Sequence, residues 1–486
     1  MTIRRAAAWS LSSQYATFVV QFASSVIISR FFLMPADVGL FSIALAAAMI
    51  VAVFQDVGIT RFVSGQPEMR PEAVSSYALV AVLIGWAVAA VVALAAPWIA
   101  GFYGEPQLTG LLLLVAGAYL ISPFAIVPAA LLVREMNFKA LFAVNAGSTT
   151  LGSAVAIVLA WQGYGATSLA GAVVTTALAR TVLAFALRPV WPKWPKGADA
   201  LRPILSFSSS SFFISASSAI GQRSQDLIVG RLLGTASTGL FSRASALAGQ
   251  LSSLVTGAIS SVFYTAFARK RDAGEPLAAP YLHLVACNTA LNWAAMVGLA
   301  VAAEPIVLLL YGENWAGAAR LLRWMAIGEM LFVAVPLQMD VPILLGRIRK
   351  LIWVNLFDTA AAVTILTIGC TLGLEAAAIS RIAYGLVWWA IYAVFQSRLL
   401  DFRMGALLAI YARSGLCAIA AGIPLLVAAG LGWHGAALGF SGLIMLSAAG
   451  VLMWLAALGL TRHPAWAEVR TALASITQPL RVRFAG

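Results

Sequence analysis

The feature that most constrains this chain is a series of long apolar stretches separated by short loops. Each stretch reaches the ~20 residues that a helix needs to cross the hydrocarbon core of a bilayer. They cover residues 9–33, 38–62, 74–99, 108–133, 140–161, 166–187, 204–232, 236–263, 281–303, 319–345, 351–373, 375–397, 404–431 and 435–460. Because 62% of the residues are hydrophobic and only 10% are charged, a water-soluble core could not bury this surface. The sequence therefore predicts an all-α integral membrane protein with fourteen transmembrane helices.

The basic residues lie mainly in alternate loops. With a cytoplasmic N-terminus, twenty-two Lys and Arg residues fall on the inner side and four on the outer side, namely Arg30, Arg231, Arg320 and Arg323. This asymmetry follows the positive-inside rule and predicts that both termini are cytoplasmic. It also accounts for the net charge of +13, so nucleic acid is not an expected partner.

A short motif occurs twice between successive apolar stretches. It spans residues 30–42 and again 231–242, and both copies end in Gly-Leu-Phe-Ser. Three further pairs recur at offsets of 208 or 210 residues, namely Tyr103-Gly-Glu105 with Tyr311-Gly-Glu313, Val144-Asn145 with Val354-Asn355, and Arg188 with Arg398. An even number of helices, six, separates the copies, so the pattern predicts two parallel repeats related by an axis along the membrane normal.

The repeats define the predicted domains. A six-helix N-terminal lobe covers residues 1–190, a cytoplasmic linker 191–203, and a six-helix C-terminal lobe 204–400. Two extra transmembrane helices follow over 401–460. The tail, 461–486, has apolar residues at helical spacing, which predicts a cytoplasmic amphipathic helix on the membrane surface, with a disordered tail as the alternative.

The predicted helix over 204–232 is rich in polar residues. Eight serines over residues 206–218 are followed by Gln222, Arg223, Gln225 and Asp226. The helix over 9–33 is a weaker version, with Gln14 and Gln21 among its serines. Polar groups are costly against lipid, so we expect these helices to line a wet cavity. The alternative for any single serine is that a small side chain permits close helix packing.

Two arginines are the main candidates for binding an anionic substrate. Arg223 and Arg243 lie about seven to eight residues from the outer ends of successive helices, or roughly 10–13 Å below the boundary at 1.5 Å per residue. Two planar guanidinium groups at matched depth are suited to a phosphate or diphosphate. Alternatively, Asp226 neutralises Arg223 on the same helix face.

Other charged residues are candidates for ion coupling and gating. Carboxylates within apolar stretches could bind H⁺ or Na⁺, although an interhelical polar contact is the simpler role for them. The candidates are Asp340, Asp358, Glu329 and Asp56. Arg30 and Arg231 end the first helix of each repeat, where a cation complements the helix dipole. We expect their corners to be structural, or to form a gate on the outer side.

Catalysis and metal binding have little support. The chain has no Gly-x-Ser-x-Gly motif, no Asp-x-Asp pair and no large loop for an active site. Its three cysteines lie in apolar stretches without metal-type spacing. We therefore expect neither an enzyme nor a cofactor or metal.

The motifs resemble a known family. The pattern Arg-x2-Leu-x-Pro-x-Asp-x-Gly-Leu-Phe from Arg30, with Gln55-Asp-Val-Gly-Ile59 after it, is similar to the start of bacterial lipopolysaccharide and exopolysaccharide flippases. Gly239-Leu-Phe-Ser-Arg243 and Tyr311-Gly-Glu-Asn-Trp315 carry the resemblance into the second half. These flippases form the polysaccharide-transporter branch of the multidrug/oligosaccharidyl-lipid/polysaccharide superfamily.

The resemblance implies a fold and a function. The fold is a MATE-like arrangement of two six-helix lobes in a V shape, located in the bacterial inner membrane. The function is to flip an undecaprenyl-diphosphate-linked oligosaccharide from the cytoplasmic to the periplasmic leaflet by alternating access, with a polysaccharide polymerase as a possible downstream partner. The alternatives are a drug or cation antiporter of the same superfamily and a membrane glycosyltransferase or polymerase.

Overall fold

A computed structural model describes residues 3–55, 59, 63, 71–194, 202–432 and 439–471, and these residues form helices and turns without a β-strand. Side chains are described for most of them, the exceptions being residues 3–8, 54, 71–72, 202–215, 258, 260–262 and 264–265. The chain divides into two compact units, Met1–Ser242 and Arg243–Gly486. Asp56, most of the linker 191–203 and residues 472–486 of the tail lie outside the described residues.

The first unit is built from α1 to α8 and the start of α9. The helices are α1 (Ile3–Phe31), α2 (Pro35–Ala52), α3 (Pro71–Tyr103), α4 (Gln107–Ile121), α5 (Pro123–Arg134), α6 (Phe138–Trp161), α7 (Ala166–Leu187) and α8 (Arg202–Leu233). Helix α9 (Thr235–Asp272) begins in this unit and continues into the second.

The second unit contains the rest of α9 and eight further helices. They are α10 (Ala278–Val301), α11 (Ala303–Tyr311), α12 (Ala316–Phe332), α13 (Asp340–Leu344), α14 (Ile348–Thr371), α15 (Leu374–Leu400), α16 (Met404–Gly430) and α17 (Gly439–Leu460). Short 3₁₀ turns at Val53–Gln55 and Glu313–Trp315 complete the described secondary structure.

Ten of the described helices are long and apolar enough to cross a membrane, and the bent pair α4–α5 would make an eleventh. Helices α8 and α9 have 32 and 38 residues but are not among these candidates, in keeping with their many hydroxyl, amide and arginine side chains. The coarse prediction of an all-helical membrane protein is therefore confirmed. Helices also overlie each of the fourteen predicted apolar stretches, with α2 ending at Ala52 rather than at residue 62.

Two of the predicted helices are broken inside the apolar region. The stretch 108–133 bends by 46° between α4 and α5, where Pro123 follows Ser122. The stretch 319–345 is non-helical over 333–339, between α12 and α13. A hydrocarbon environment offers no water to unpaired carbonyl groups, so both breaks require partners from the protein.

Side chains from neighbouring helices supply these partners in the second unit. Asn288 Nδ2 donates to the Val333 carbonyl at 2.7 Å, and the Tyr411 hydroxyl donates to the Ala334 carbonyl at 2.8 Å. Tyr281 and Gln396 bind the carbonyls of residues 336–338 at 3.3–3.4 Å. Asn288 and Gln396 have no exposed surface. Residues of α10, α15 and α16 therefore hold the break in one conformation.

The C-terminal segment docks on the same unit. His463 is 2% exposed, and its Nε2 lies 3.0 Å from the Ser414 hydroxyl, while its Nδ1 accepts the Ala465 N–H. Burial, and then the charge of Arg413, lower the pKa of His463 to about 4. Trp466 and Val469 pack on a cluster that includes Trp454. The described part of the predicted tail is thus tied to the helices of its own unit.

We predict that Asn288→Ala destabilises the protein, because it leaves the Val333 carbonyl buried without its donor, at a cost of about 1–3 kcal/mol. Thermal unfolding of the purified protein in detergent should show a lower Tm than for the matched control Asn314→Ala, whose side chain is exposed. Equal Tm values for the two variants would contradict this role.

Candidate functional site

A polar cluster lies in the first unit where α8 meets α3 and α4. Arg223 and Asp226 are one turn apart on α8, and both are partly buried. Arg223 is close enough to interact electrostatically with Asp226 and with the hydroxyl of Tyr119. The Tyr103 hydroxyl donates to the Leu227 carbonyl at 2.9 Å and also interacts with Asp226. One phenol and one carboxylate therefore lie near the Arg223 guanidinium, and a second phenol lies near that carboxylate.

Arg231 joins the same region from the last turn of α8. Its guanidinium carbon lies 4.7 Å from the ring centroid of Phe102, within cation–π range, and its charge interacts with the Tyr103 hydroxyl. Phe102 and Tyr103 end α3, where Gly104 turns the chain with φ of +71°. The Tyr-Gly-Glu corner of the first repeat therefore contacts one of the two predicted gating arginines.

Arg243 lies in the second unit and has a different environment. Its guanidinium carbon is 5.7 Å from the ring centroids of both Tyr311 and Trp315. These rings are 3% and 0% exposed, and they flank the turn at Gly312. The Tyr-Gly-Glu corner of the second repeat thus encloses Arg243 with aromatic faces, an arrangement that fixes the side chain within its own unit.

We predict that Arg243 stabilises the second unit. Arg243→Met should lower the Tm of the purified protein, since two partly desolvated cation–π contacts of about 0.5–2 kcal/mol each are lost. Arg243→Lys should lose less, because it keeps the charge but not the planar group.

Arg403→Met serves as the matched control, because that arginine is exposed at the start of α16. If Arg243→Met and Arg403→Met unfold at the same temperature, the aromatic enclosure is not a stabilising contact.

The other polar residues of α1 and α8 include exposed glutamines and buried serines. Gln14, Gln21 and Gln222 are exposed, as a cavity-lining role requires. Ser13 and Ser24 are buried, and Ser13 accepts from Asn145 of α6 at 3.5 Å. On α1, therefore, those two serines contribute to helix packing, whereas Gln14 and Gln21 are exposed at the surface of the helix. The serines of residues 202–215 fall outside the described side chains.

The predicted ion-coupling carboxylates of the second unit lie on different helices and have different partners. Asp358 on α14 is 7% exposed and accepts from the Tyr384 hydroxyl of α15 at 2.9 Å. Glu329 on α12 pairs with Arg381 of α15 at 3.4 Å. Asp340 is exposed at the start of α13. Asp358 is thus a buried carboxylate with a tyrosine donor, whereas Glu329 has a cationic partner.

Sequence reasoning missed the aromatic residues of these clusters. Tyr119, Tyr311 and Tyr384 are far in sequence from the charges that they approach, and an aromatic residue in an apolar helix is not unusual. One signal was available for Tyr384. Asp358 and Tyr384 lie 15 and 11 residues from Gly373, the tight turn between α14 and α15, which places them within about one helical turn of the same depth.

An apolar groove lies within the second unit, with a volume of about 370 Å³. Its described lining is apolar apart from Ser447 of α17. The main contributors are Leu251 and Val255 of α9, Leu291 and Gly298 of α10, Leu425 of α16, and Trp454 of α17. A side chain added at Gly298 would meet open space. The groove is suited to a flexible hydrocarbon chain and not to a polar ligand.

Comparisons with known proteins agree with this architecture. A profile of the family described as "Polysaccharide biosynthesis protein" matches residues 27–320. The succinoglycan biosynthesis transport protein ExoT of Rhizobium meliloti is 27% identical over 351 residues, which are 71% of this chain and 69% of that protein. The lipopolysaccharide biosynthesis protein WzxC of Escherichia coli is 23% identical over 296 residues, 60% of each chain.

Two solved structures share the fold. The lipid II flippase MurJ in an inward closed conformation superposes with a TM-score of 0.72 at 14% identity, covering 93% of this chain and 98% of that one. An inward-facing multidrug resistance transporter of the MATE family superposes with a TM-score of 0.59 at 16% identity, covering 79% and 95%. The MATE-like fold implied by the sequence motifs is therefore confirmed at the level of the helical architecture.

Proposed function

Because the chain belongs to the family of polysaccharide biosynthesis proteins, we propose that it flips a lipid-linked oligosaccharide across the bacterial inner membrane. The observation that carries the proposal is the family match, which covers more than half of the chain and includes the polar cluster of α8. The named relatives of this family act in polysaccharide transport and biosynthesis. This supports a transporter rather than an enzyme, and a glycan rather than a drug.

In the proposed topology, all fourteen apolar segments cross the bilayer, including α8 and α9, and both termini are in the cytoplasm. The long but polar α8 and α9 would be tolerated because their polar faces line a wet path and not lipid. The two six-helix repeats would form the lobes of an alternating-access transporter, as the recurring corners suggest.

We assign the diphosphate of an undecaprenyl-linked substrate to Arg223. This guanidinium is partly buried, close to neighbours that are also polar, and not enclosed between two rings as Arg243 is. Asp226 balances the charge of Arg223 in the empty site and lowers the cost of holding it within the membrane. A diphosphate would compete with that carboxylate for the guanidinium donors. Gln14, Gln21 and Gln222 would contact the sugar hydroxyls.

The prenyl chain needs an apolar surface for itself. The groove of the second unit offers one, because its lining is apolar and a chain of isoprene units has no hydrogen-bonding group to satisfy. Burial of apolar surface contributes about 25 cal/mol per Å² in a water reference, but within a bilayer the gain is limited to packing. The groove would therefore guide the chain without holding it tightly, as transport requires.

Asp358 is our candidate for coupling to H⁺ or Na⁺. It is buried beside Tyr384, and Tyr392 of α15 is a second hydroxyl close to it. Glu329 already has Arg381 as a partner, and Asp340 is exposed, so neither is as well placed to bind a cation.

We predict that neutralising the α8 pair abolishes export. In a deletion strain of the native host, Arg223→Gln combined with Asp226→Asn should restore less than about a tenth of the extracellular polysaccharide, since a charged hydrogen bond of about 1.5–3 kcal/mol is lost to the diphosphate. The double change leaves no unbalanced charge, and Asp226→Asn is isosteric. Polymer would be measured as hexose, and protein by immunoblot of the membranes.

The matched control is Arg320→Gln with Glu375→Gln, which removes an exposed ion pair of the second unit with 3.5 Å between Nη1 and Oε2. It should restore polymer to the wild-type level. Normal export by the Arg223/Asp226 variant at normal protein levels would overturn the diphosphate assignment.

We also predict that filling the apolar groove slows export. Gly298→Phe places a ring in the open space of the groove, whereas Gly110→Phe places one at an exposed helical position of α4 that is also free of neighbours. Only the former should reduce polymer yield, with both proteins present at equal levels. Equal yields would show that the prenyl chain does not use the groove.

A further inference from the structure

The two copies of the duplicated corner meet each other. The first copy, residues 30–42, ends α1 and begins α2, and the second, residues 231–242, ends α8 and begins α9. All of these residues belong to the first unit. Gly39 of one copy and Gly239 of the other form the crossing, and they occupy equivalent places in the shared Gly-Leu-Phe-Ser sequence.

The contact is reciprocal at the level of the backbone. A methyl group at Gly39 would overlap the Thr235 carbonyl oxygen and lie 2.9 Å from the amide nitrogen of Gly239. A methyl group at Gly239 would overlap the Pro35 carbonyl oxygen and lie 3.1 Å from the amide nitrogen of Gly39. Each glycine therefore lies against the start of the helix that carries the other, and neither position has room for a side chain.

A pair of serines continues the same symmetry. The Ser42 hydroxyl donates to the Ser242 hydroxyl at 3.0 Å, and these residues end the two copies of the motif. Next to them, Ile43 fills the space beside Gly230, where an added carbon would lie 2.6 Å from its Cδ1. The crossing is thus a closely packed seam, formed by Gly39, Gly239, Ser42, Ser242 and Ile43 with Gly230.

The described contacts across the seam are individually weak. They are one hydroxyl–hydroxyl hydrogen bond, which contributes about 0.5–1.5 kcal/mol, and close van der Waals contact between backbones. The two arginines predicted as gating residues, Arg30 and Arg231, are exposed, and Arg231 stacks on Phe102 of α3. Surfaces that meet through close van der Waals contact and a neutral hydrogen bond can separate and meet again at little cost.

We propose that this seam is the outer latch of the transporter, closed by the glycine crossing and opened each time the substrate is released to the periplasmic side. The proposal rests on the proposed function and on its orientation, which places both corners at the outer face. It assigns the gating role to Gly39, Gly239, Ser42 and Ser242 instead of to Arg30 and Arg231. The two surfaces match because they are copies of one duplicated corner sequence, and each copy packs against the other.

The test is a reversible crosslink in the full-length protein. Ser42→Cys with Ser242→Cys places two thiols where the hydroxyl oxygens are 3.0 Å apart, a separation compatible with a disulfide after a small adjustment. Each single variant serves as a control for the native cysteines, which are buried in the second unit. Loss of thiol labelling after oxidation would report the crosslink.

We expect the reduced double variant to support polymer export at the wild-type level in the deletion strain. Oxidation should reduce export at least about tenfold in the double variant only, and a reductant should restore it. Normal export by the crosslinked protein would overturn the latch, and so would failure of the thiols to crosslink.

A second variant tests the crossing without a disulfide. In the double-cysteine background, Gly39→Ala should slow crosslinking by about tenfold, because the methyl group displaces the Thr235 carbonyl. Gly110→Ala, at a helical position with open space, should leave the rate unchanged. Equal rates would contradict the glycine crossing.

These outcomes are separable from failure of the proposed function. If deletion of the gene leaves the amount of polymer unchanged, the flippase assignment fails whatever the crosslink shows. If deletion removes the polymer and the crosslinked protein still exports it, the flippase assignment stands and the latch alone is overturned.

Discussion

The constraint on which this structure depends is that a carbonyl group in hydrocarbon must find a donor within the protein. In a continuous helix the donor is a backbone N–H of the next turn, but the carbonyl groups at the two breaks lack that donor. In the first unit, Trp86 donates to the Leu120 carbonyl at 3.2 Å and Thr181 to the Ile121 carbonyl at 3.1 Å. In the second, Trp293 donates to the Met330 carbonyl at 2.8 Å. The donors tie each break to its neighbouring helices, so the bends are fixed parts of the fold.

These contacts also extend the duplication beyond the corners. Trp86 and Trp293 are 207 residues apart, and their acceptors Leu120 and Met330 are 210 apart, offsets close to the 208 and 210 of the recurring sequence pairs. The two indoles therefore perform the same task in the two units, just before the break of equivalent helices. No short sequence motif surrounds the two tryptophans, so the sequence alone does not reveal that they are equivalent.

The helices were predictable from the sequence because their apolar length is imposed by the bilayer. The breaks were not, since residues 333–339 are apolar apart from Gln338, and Pro336 alone does not show whether a membrane helix kinks or ends. The site was predictable only in part. Arg223 and Asp226 stand out as charges within a membrane helix, but the enclosure of Arg243 by Tyr311 and Trp315 depends on residues about seventy positions away. Two arginines that look alike in sequence therefore have different surroundings.

The balance of charge within each unit gives the proposed roles a physical basis. In the first unit, Arg223 interacts with Asp226, and Arg231 and Asp226 both interact with the Tyr103 hydroxyl. These linked groups comprise two arginines and one carboxylate, a balance that favours an anionic headgroup. In the second, Arg381 pairs with Glu329, which leaves Asp358 with hydroxyl donors. A carboxylate held by hydroxyl groups favours a small cation. The group that favours an anion and the carboxylate that favours a cation lie in different units. A diphosphate and a coupling ion would therefore not compete for the same side chains.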